Sequence, residues 1–254
     1  SVMSPTVLYL GDTRLTEAAA YLAGVMTHAG LVYDYLPSDA PVPSDVLDRD
    51  YAAVIISDFP AANFGPAGLE RLAQRVRAGL GLLMIGGWES FHGAGGLYQA
   101  TPVAACLPVV ISDADDRVNC AQPCLVESVS SHPIVAGLPF SDESPGVGGY
   151  NRFAAKAGAQ TVLAVRRFRV RRRGGRFEFD PAVHPDPLLV VGQGEGGRVA
   201  AFASDVAPHW VGGLVDWGRS RVRASGPGAA AVEVGEFYAR FFANLVRWTA
   251  GALG

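Results

Sequence analysis

The sequence predicts an α/β fold, built on a mostly parallel sheet with helices on both faces. Two observations carry this reading, and the composition agrees with it. Through residue 86, short apolar runs alternate with segments of helical periodicity, which is the pattern of successive strand–helix units joined by right-handed crossovers. Two of the runs, Ala52 to Ser57 (AAVIIS) and Gly81 to Ile85 (GLLMI), are continuously apolar or small, as strands buried on both faces must be. With 254 residues, 49% of them apolar and 18% charged, the chain is long and apolar enough to bury a large core, and intrinsic disorder is excluded. No internal repeat or low-complexity linker divides it, so residues 1–254 read as a single domain.

The elements follow in order. Thr6 to Leu10 (TVLYL) is the first strand and ends at the turn pair Gly11-Asp12. Leu15, Ala19, Leu22, Ala23 and Met26 then fall at helical spacing, which predicts a helix over residues 14–29. Leu31 to Leu36 is the second strand and Ala52 to Ser57 the third. Gly65-Pro66 opens a helix to about Ala78, with proline at a tolerated first-turn position, and Gly81 to Ile85 is the fourth strand. Thr101-Pro102 begins a short helix to Cys106, and Ser131-His132-Pro133 begins another reaching Leu138. Gln160 to Val165, Arg167 to Arg173 and Arg176 to Phe179 read as strands of a β-hairpin insertion over about residues 160–180, turning at Gly174-Gly175. Leu188 to Val191 and Arg198 to Ser204 flank a Gly194–Gly197 turn and return to the main sheet. A last helix, about Ala231 to Trp248, gathers Val234, Phe237, Tyr238, Phe241, Phe242, Leu245 and Trp248 on one wide apolar face.

Charge and cysteine usage narrow the partners. Lys and Arg number 21 against 24 Asp and Glu, a net charge of −3, which argues against a dedicated nucleic-acid or anionic-membrane binder. No run approaches the roughly 20 apolar residues of a membrane span. The opening Ser1-Val2-Met3 carries no structural signal, and no basic-then-apolar leader is evident. With Cys106, Cys120 and Cys124 too few to pair completely, the expected compartment is the cytoplasm. Seven arginines between Arg166 and Arg176 read as a solvated edge strand or as a surface pairing with acids of a second subunit, so a homo-oligomer is expected. No cofactor is implied; the expected partner is a small molecule or another protein.

Ligands of open α/β sheets bind where strands reach their carboxyl edge. The segments to interrogate are therefore Gly11-Asp12, Ser57-Asp58-Phe59-Pro60, Gly86-Gly87-Trp88-Glu89-Ser90-Phe91-His92 and Ser204-Asp205-Val206-Ala207-Pro208-His209-Trp210. Ser90 with Asp205 and His209 has the chain order of an α/β-hydrolase triad, although Gly-x-Ser-x-Gly is absent; the plainer role for Ser90 is to cap a helix after the fourth strand. Glu89 and His92, three apart, can share a helical face and meet a metal together with His209 or Asp205, but a lone Glu-x-x-His is weak and no metal ligand is assigned. Cys120, Cys124 and His132 lack an evident fourth zinc ligand. His209 beside Trp210 and Trp217 fits a structural role as well as a functional one.

The segments GGWESF, TPVAACLPV, HPIVAGL, GGYNRFAAK and PLLVVGQGEGGRVAAFASDVAPHW together resemble the class I glutamine amidotransferase-like superfamily, and within it cytoplasmic amidotransferase-like proteins of unassigned activity. The resemblance covers nearly the whole chain. It implies a flavodoxin-like three-layer sandwich with a nucleophile elbow after one central strand and a histidine after a late one. The departures bear directly on function. Where true members carry a cysteine in Gly-x-Cys-x-Gly, this chain has Gly87 or Trp88. Where the family histidine precedes Pro-Glu, His209 precedes Trp210 and Val211. The Ser-Gly-Gly-Pro oxyanion loop becomes Ser57-Asp58-Phe59-Pro60, whose Asp58 repels a developing oxyanion. The expectation is a protein without glutaminase activity that binds a small ligand or partner at this edge, with Gly87, Trp88, Asp12 and Asp58 as binding candidates. The alternative is a hydrolase or metal-dependent enzyme of altered mechanism, using His209 with Ser90, Glu89 or Asp205.

Overall fold

The computed structural model describes residues 6–193 and 196–254; the Ser1-Val2-Met3 opening and the first half of the Gly194–Gly197 turn lie outside the described residues. The N-terminal half runs β1 (Thr6–Gly11), α1 (Ala20–His28), β2 (Val32–Leu36), β3 (Ala53–Ser57), α2 (Gly65–Arg77) and β4 (Gly81–Ile85). After α3 (Pro102–Cys106) come five short strands, β5 (Val109–Val110), β6 (Arg117–Asn119), β7 (Cys124–Ser128), β8 (Gly149–Asn151) and β9 (Ala154–Ala155). The chain then forms β10 (Gln160–Arg173), β11 (Arg176–Pro181), β12 (Asp186–Gln193), β13 (Arg198–Phe202), α4 (Pro208–Val211), β14 (Arg221–Ala224), β15 (Val232–Gly235) and α5 (Glu236–Thr249).

The main sheet has the order β11-β10-β12-β13-β4-β3-β1-β2, with β7 also paired to β10. It is mixed, which corrects the expectation of a mostly parallel sheet. β2, β1, β3, β4 and β13 run parallel, whereas β12, β10, β11 and β7 pair antiparallel. The reason is local: β10, β11, β12 and β13 follow one another through short connections, which leave no room for the crossover that a parallel pairing requires. β3 and β4 are buried at every position, as their apolar runs predicted.

The helices cover this sheet through their apolar faces. Leu69, Leu72, Ala73 and Val76 form the buried stripe of α2, and Tyr238, Phe241, Phe242 and Leu245 that of α5. Phe202, the last residue of β13, packs against Phe241 and Phe242 with ring centroids 5.5 and 5.3 Å away. Thus α5 holds the strand that leads into Asp205.

Four elements differ from expectation. α1 begins at Ala20, not near residue 14, because Leu15 O is taken by Ala230 N (2.9 Å) and the preceding residues form turns. α5 begins at Glu236, since Val232–Gly235 pair with β14 instead of coiling. The Ser131–Leu138 helix is a single 3-10 turn at Pro133–Val135, ended where Gly137 adopts φ 75°. The hairpin at about residues 160–180 is present but is not a separate insertion. β10 is one continuous strand whose first half pairs with β12 and β7 and whose second half pairs with β11 around Gly174-Gly175.

Along that arm, Arg171 meets Asp180 (3.2 Å) and Arg173 approaches Glu178 (3.8 Å), so these two arginines find acids on their own hairpin. Phe177 and Phe179 stand exposed on β11. Among the described residues no helix is long and apolar enough to cross a membrane.

Candidate functional site

The four segments singled out in the sequence do converge, because β13, β4, β3 and β1 are neighbours and parallel, and so end at one edge. Two of the chain reversals there are tight. Asp12 (φ 44°) and Asp58 (φ 49°) occupy the left-handed region directly after β1 and β3, a conformation that aspartate tolerates better than most residues. Gly11 makes the approach feasible, since a Cβ at that position would stand 2.4 Å from Ser57 O. Asp12 N then donates to the same carbonyl (3.0 Å), fixing the two loops together.

At this edge the side-chain oxygens of Asp12, Asp58 and Asp205 lie within 4.8 Å of one another. Asp12 and Asp205 are buried, and Asp58 is half-buried. Asp58 Oδ1 accepts from Glu89 N (2.6 Å), and Asp205 Oδ1 from Val206 N (2.6 Å). Asp12 Oδ2 and Asp205 Oδ2 accept no hydrogen bond among the described residues, and the buried Tyr9 hydroxyl and Ser57 Oγ are likewise unpaired. His209 Nε2 comes to 3.4 Å from Asp205 Oδ2, an ion-pair separation without hydrogen-bond geometry, from a side chain 58% exposed.

Crowding like charges in a dry setting favours their neutral forms. Burial, then the charges of Asp205 and Asp58, push the Asp12 carboxyl well above its ordinary range. Burial and Asp58 raise Asp205 to about 8. Burial also raises Asp58, against the lowering effect of the Glu89 N–H and His209, and Glu89 rises through burial and the charge of Asp58.

The stretch after β4 forms turns and bends, so Ser90 caps no helix and Glu89 and His92 share no helical face. Ser90 is instead a clamp: its hydroxyl donates to Ile85 O (2.6 Å) and accepts from Asp58 N (2.9 Å), and both bonds are buried or nearly so. Gly87 lies against Asp58 and is held by Asn151, whose Oδ1 accepts from Gly87 N (2.9 Å) and whose Nδ2 donates to Gly87 O (3.1 Å) and Asp116 Oδ1 (2.8 Å). Trp88 is 51% exposed beneath the Arg117 guanidinium (4.4 Å), while Phe91 is buried against Phe153. His92 turns to Gly93 O (2.9 Å), and its N–H donates to Asp116. His132 caps its own turn and packs on Trp248 (5.1 Å), away from any zinc set with Cys120 and Cys124.

Thus Asp12, Asp58, Asp205 and His209 come together with Glu89 beside them, and Ser90, Gly87 and Trp88 shape the surrounding loop. Sequence reasoning missed Tyr9, Asn151 and Asp116, and it placed Ser57 at the edge without giving it a role. Tyr9 read as an ordinary strand residue, and Asn151 stood unassigned inside GGYNRFAAK. Because His209 is mostly in solvent, His209→Ala is expected to change stability by no more than about 0.5 kcal/mol. A thermal melt checks this, and a drop of several degrees would make His209 structural.

A sheet edge of this kind, with strand-end loops after β1, β3, β4 and β13 brought together, is that of an α/β protein with the amidotransferase-like fold. The chain is in fact a member of the putative glutamine amidotransferase family (GATase1-like), whose model matches residues 10–222. Among solved structures it is similar to the cytoplasmic protein STM1381 from Salmonella typhimurium LT2, with 28% identity and a TM-score of 0.73 over 96% of this chain and 98% of that one. It is equally similar to the cytoplasmic protein STM3548 from Salmonella typhimurium, with 28% identity and a TM-score of 0.72 over the same shares. The mmIFT52 N-terminal domain shares the fold at 13% identity, with a TM-score of 0.55 over 96% of each chain. No curated protein sequence matches significantly.

Proposed function

We propose that this chain is an amidotransferase-like protein that binds a small ligand at the carboxyl edge of its parallel strands and does not hydrolyse glutamine. Gly87 carries the reading. A Cβ there would lie 2.6 Å from Asp58 Oδ1, so Gly87 has no room for a nucleophile, and the alternative position, Trp88, carries a side chain that cannot act as one. The Asp58 carboxylate, moreover, stands in the loop that should supply oxyanion donors. The order β2-β1-β3-β4-β13 supports a flavodoxin-like sandwich, in which ligands bind at the switch point between β1 and β3. Those are the strands that deliver Asp12 and Asp58, and the acidic lining selects for positive charge. The naming of both Salmonella relatives as cytoplasmic supports the same compartment here.

A second reading, a metal-dependent enzyme with His209 as general base, is favoured by the placement of His209 beside Asp205. A serine-hydrolase version is disfavoured, because both hydrogen-bonding roles of the Ser90 hydroxyl are already taken.

Glutamate release from glutamine tests the main proposal. The native protein is expected to stay at background. So is Gly87→Cys, because a thiol beside a carboxylate is held in its unreactive protonated form. Turnover by the native protein would overturn the reading.

A further inference from the structure

We propose that Asp12, Asp58 and Asp205 form a binding site for one hard divalent cation of the Mg²⁺, Mn²⁺ or Ca²⁺ class, at the carboxyl edge of β1, β3 and β13. The inference deepens the small-ligand reading above and rests on it.

Three observations point to a cation. The first is span. Metal–oxygen distances of about 2.0–2.6 Å place two ligating oxygens no more than about 5 Å apart across an ion. Here the three carboxylates offer oxygens within 4.8 Å of one another. The second is unmet bonding capacity. Asp12 Oδ2 and Asp205 Oδ2 are buried without a hydrogen bond, and so are two neutral oxygens at the same strand ends, Tyr9 Oη and Ser57 Oγ. Tyr9 and Ser57 are fully buried, so neither oxygen can turn to bulk water instead. Buried polar atoms in folded proteins are nearly always satisfied, so several orphans at one place mark a missing partner. The third is charge. Among the described residues no Arg or Lys lies within salt-bridge distance of the three carboxylates, and the half-exposed His209 is within that distance of Asp205 only.

The donors also select the metal. They are all oxygens, which suits hard cations and not zinc or copper, whose sites draw on imidazole and thiolate. Each carboxylate comes from a different strand end and is positioned by backbone: Asp58 by Glu89 N, Asp205 by Val206 N, and Asp12 by the Gly11–Ser57 approach. A site built this way is ordered before the ion arrives.

The test is Mn²⁺ binding to the EDTA-treated full chain, followed by electron paramagnetic resonance of free Mn²⁺ and by thermal melts. The expected result is one Mn²⁺ per chain, displaced by Mg²⁺ or Ca²⁺. Asp12→Asn and Asp205→Asn should each weaken binding at least tenfold while keeping the native circular dichroism spectrum. Asp115→Asn, at an exposed acid outside the cluster, should bind as the native protein does. If the two cluster variants retain native affinity, the site is elsewhere and the proposal falls. Putrescine serves as a second probe. If it raises the melting temperature through the same carboxylates while millimolar Mn²⁺ does not bind, the metal assignment is overturned and the small-ligand reading stands. If neither probe binds, both fall.

Discussion

Asn151→Ala is expected to lower the melting temperature by about 5 °C or more. The side chain is fully buried and makes three hydrogen bonds, from Gly87 N, to Gly87 O and to Asp116 Oδ1. Removing it strands Gly87 N and leaves Gly87 O only the long bond from Ser90 N (3.5 Å), whereas Asp116 Oδ1 keeps Gly93 N (2.9 Å). At about 1–3 kcal/mol for each of the two Gly87 groups, and about 2–4 °C per kcal/mol for a chain of this size, the loss is several degrees. Asn151→Asp should be no milder, since it keeps the acceptor for Gly87 N but loses the donor and sets a second carboxylate against Asp116. Circular dichroism melts of the two variants decide the matter. A drop under about 3 °C would mean that the elbow loop is held by something else. The effect should also reach the acidic cluster, because Gly87 is the surface on which Asp58 rests.

The second large effect is on pH dependence. Between about pH 5 and pH 8 the metal-free protein is expected to lose stability as pH rises, against the trend of most paired carboxylates. Asp205 moves from an ordinary 3.8 to about 8 on folding, through burial and the charge of Asp58. In that window the folded chain therefore holds a proton that the unfolded chain has lost. Unfolding releases it, so the free energy of unfolding falls by up to about 1.4 kcal/mol for each pH unit. Below about pH 4 both states are protonated, and above about pH 8 neither is, so the dependence flattens at both ends. Asp12 shifts in the same direction and adds to the trend.

Asp205→Asn keeps an acceptor for Val206 N and removes the charge. It is expected to be more stable than the native protein at pH 8 and to show a shallower slope. Urea midpoints at three pH values, with EDTA present, check both statements. A native midpoint that rises with pH, or a variant weaker at pH 8, would show that the cluster is not under electrostatic stress. A site that destabilises its own fold until a ligand neutralises it is the ordinary trade of stability for function.

Much of this architecture was legible in the residues. The buried parallel strands announced themselves because a strand covered on both faces must be apolar at every position, and AVIIS and GLLMI are. Convergence of the strand-end loops followed from having those strands in one sheet. The antiparallel half was legible only as hairpins. Its continuity through β10 depends on pairing with β7 and β12, and arginine alternation says nothing about a neighbour on the other side. The loop after β4 was read as the start of a helix because glycine, glutamate and serine suit a helix start as well as a turn. What decides between them is Asn151 and Asp116, far along the chain, capturing its backbone. Asp12, Asp58 and Asp205 were each suspected singly. That they form one group is a property of strand order, which periodicity does not report.

The position of β13 has a consequence for synthesis. β4 lies between β3, which precedes it closely, and β13, which is added only after β5 through β12 have been made. Until Phe202 has emerged, the growing chain carries a GLLMI strand with one side of its backbone unpaired, and the apolar bed that α5 will cover is also open. Pairings this distant in sequence form slowly, and an exposed apolar strand edge is a template for association with other chains. Any fragment that stops short of β13 therefore retains a sticky margin, whatever its helices have achieved.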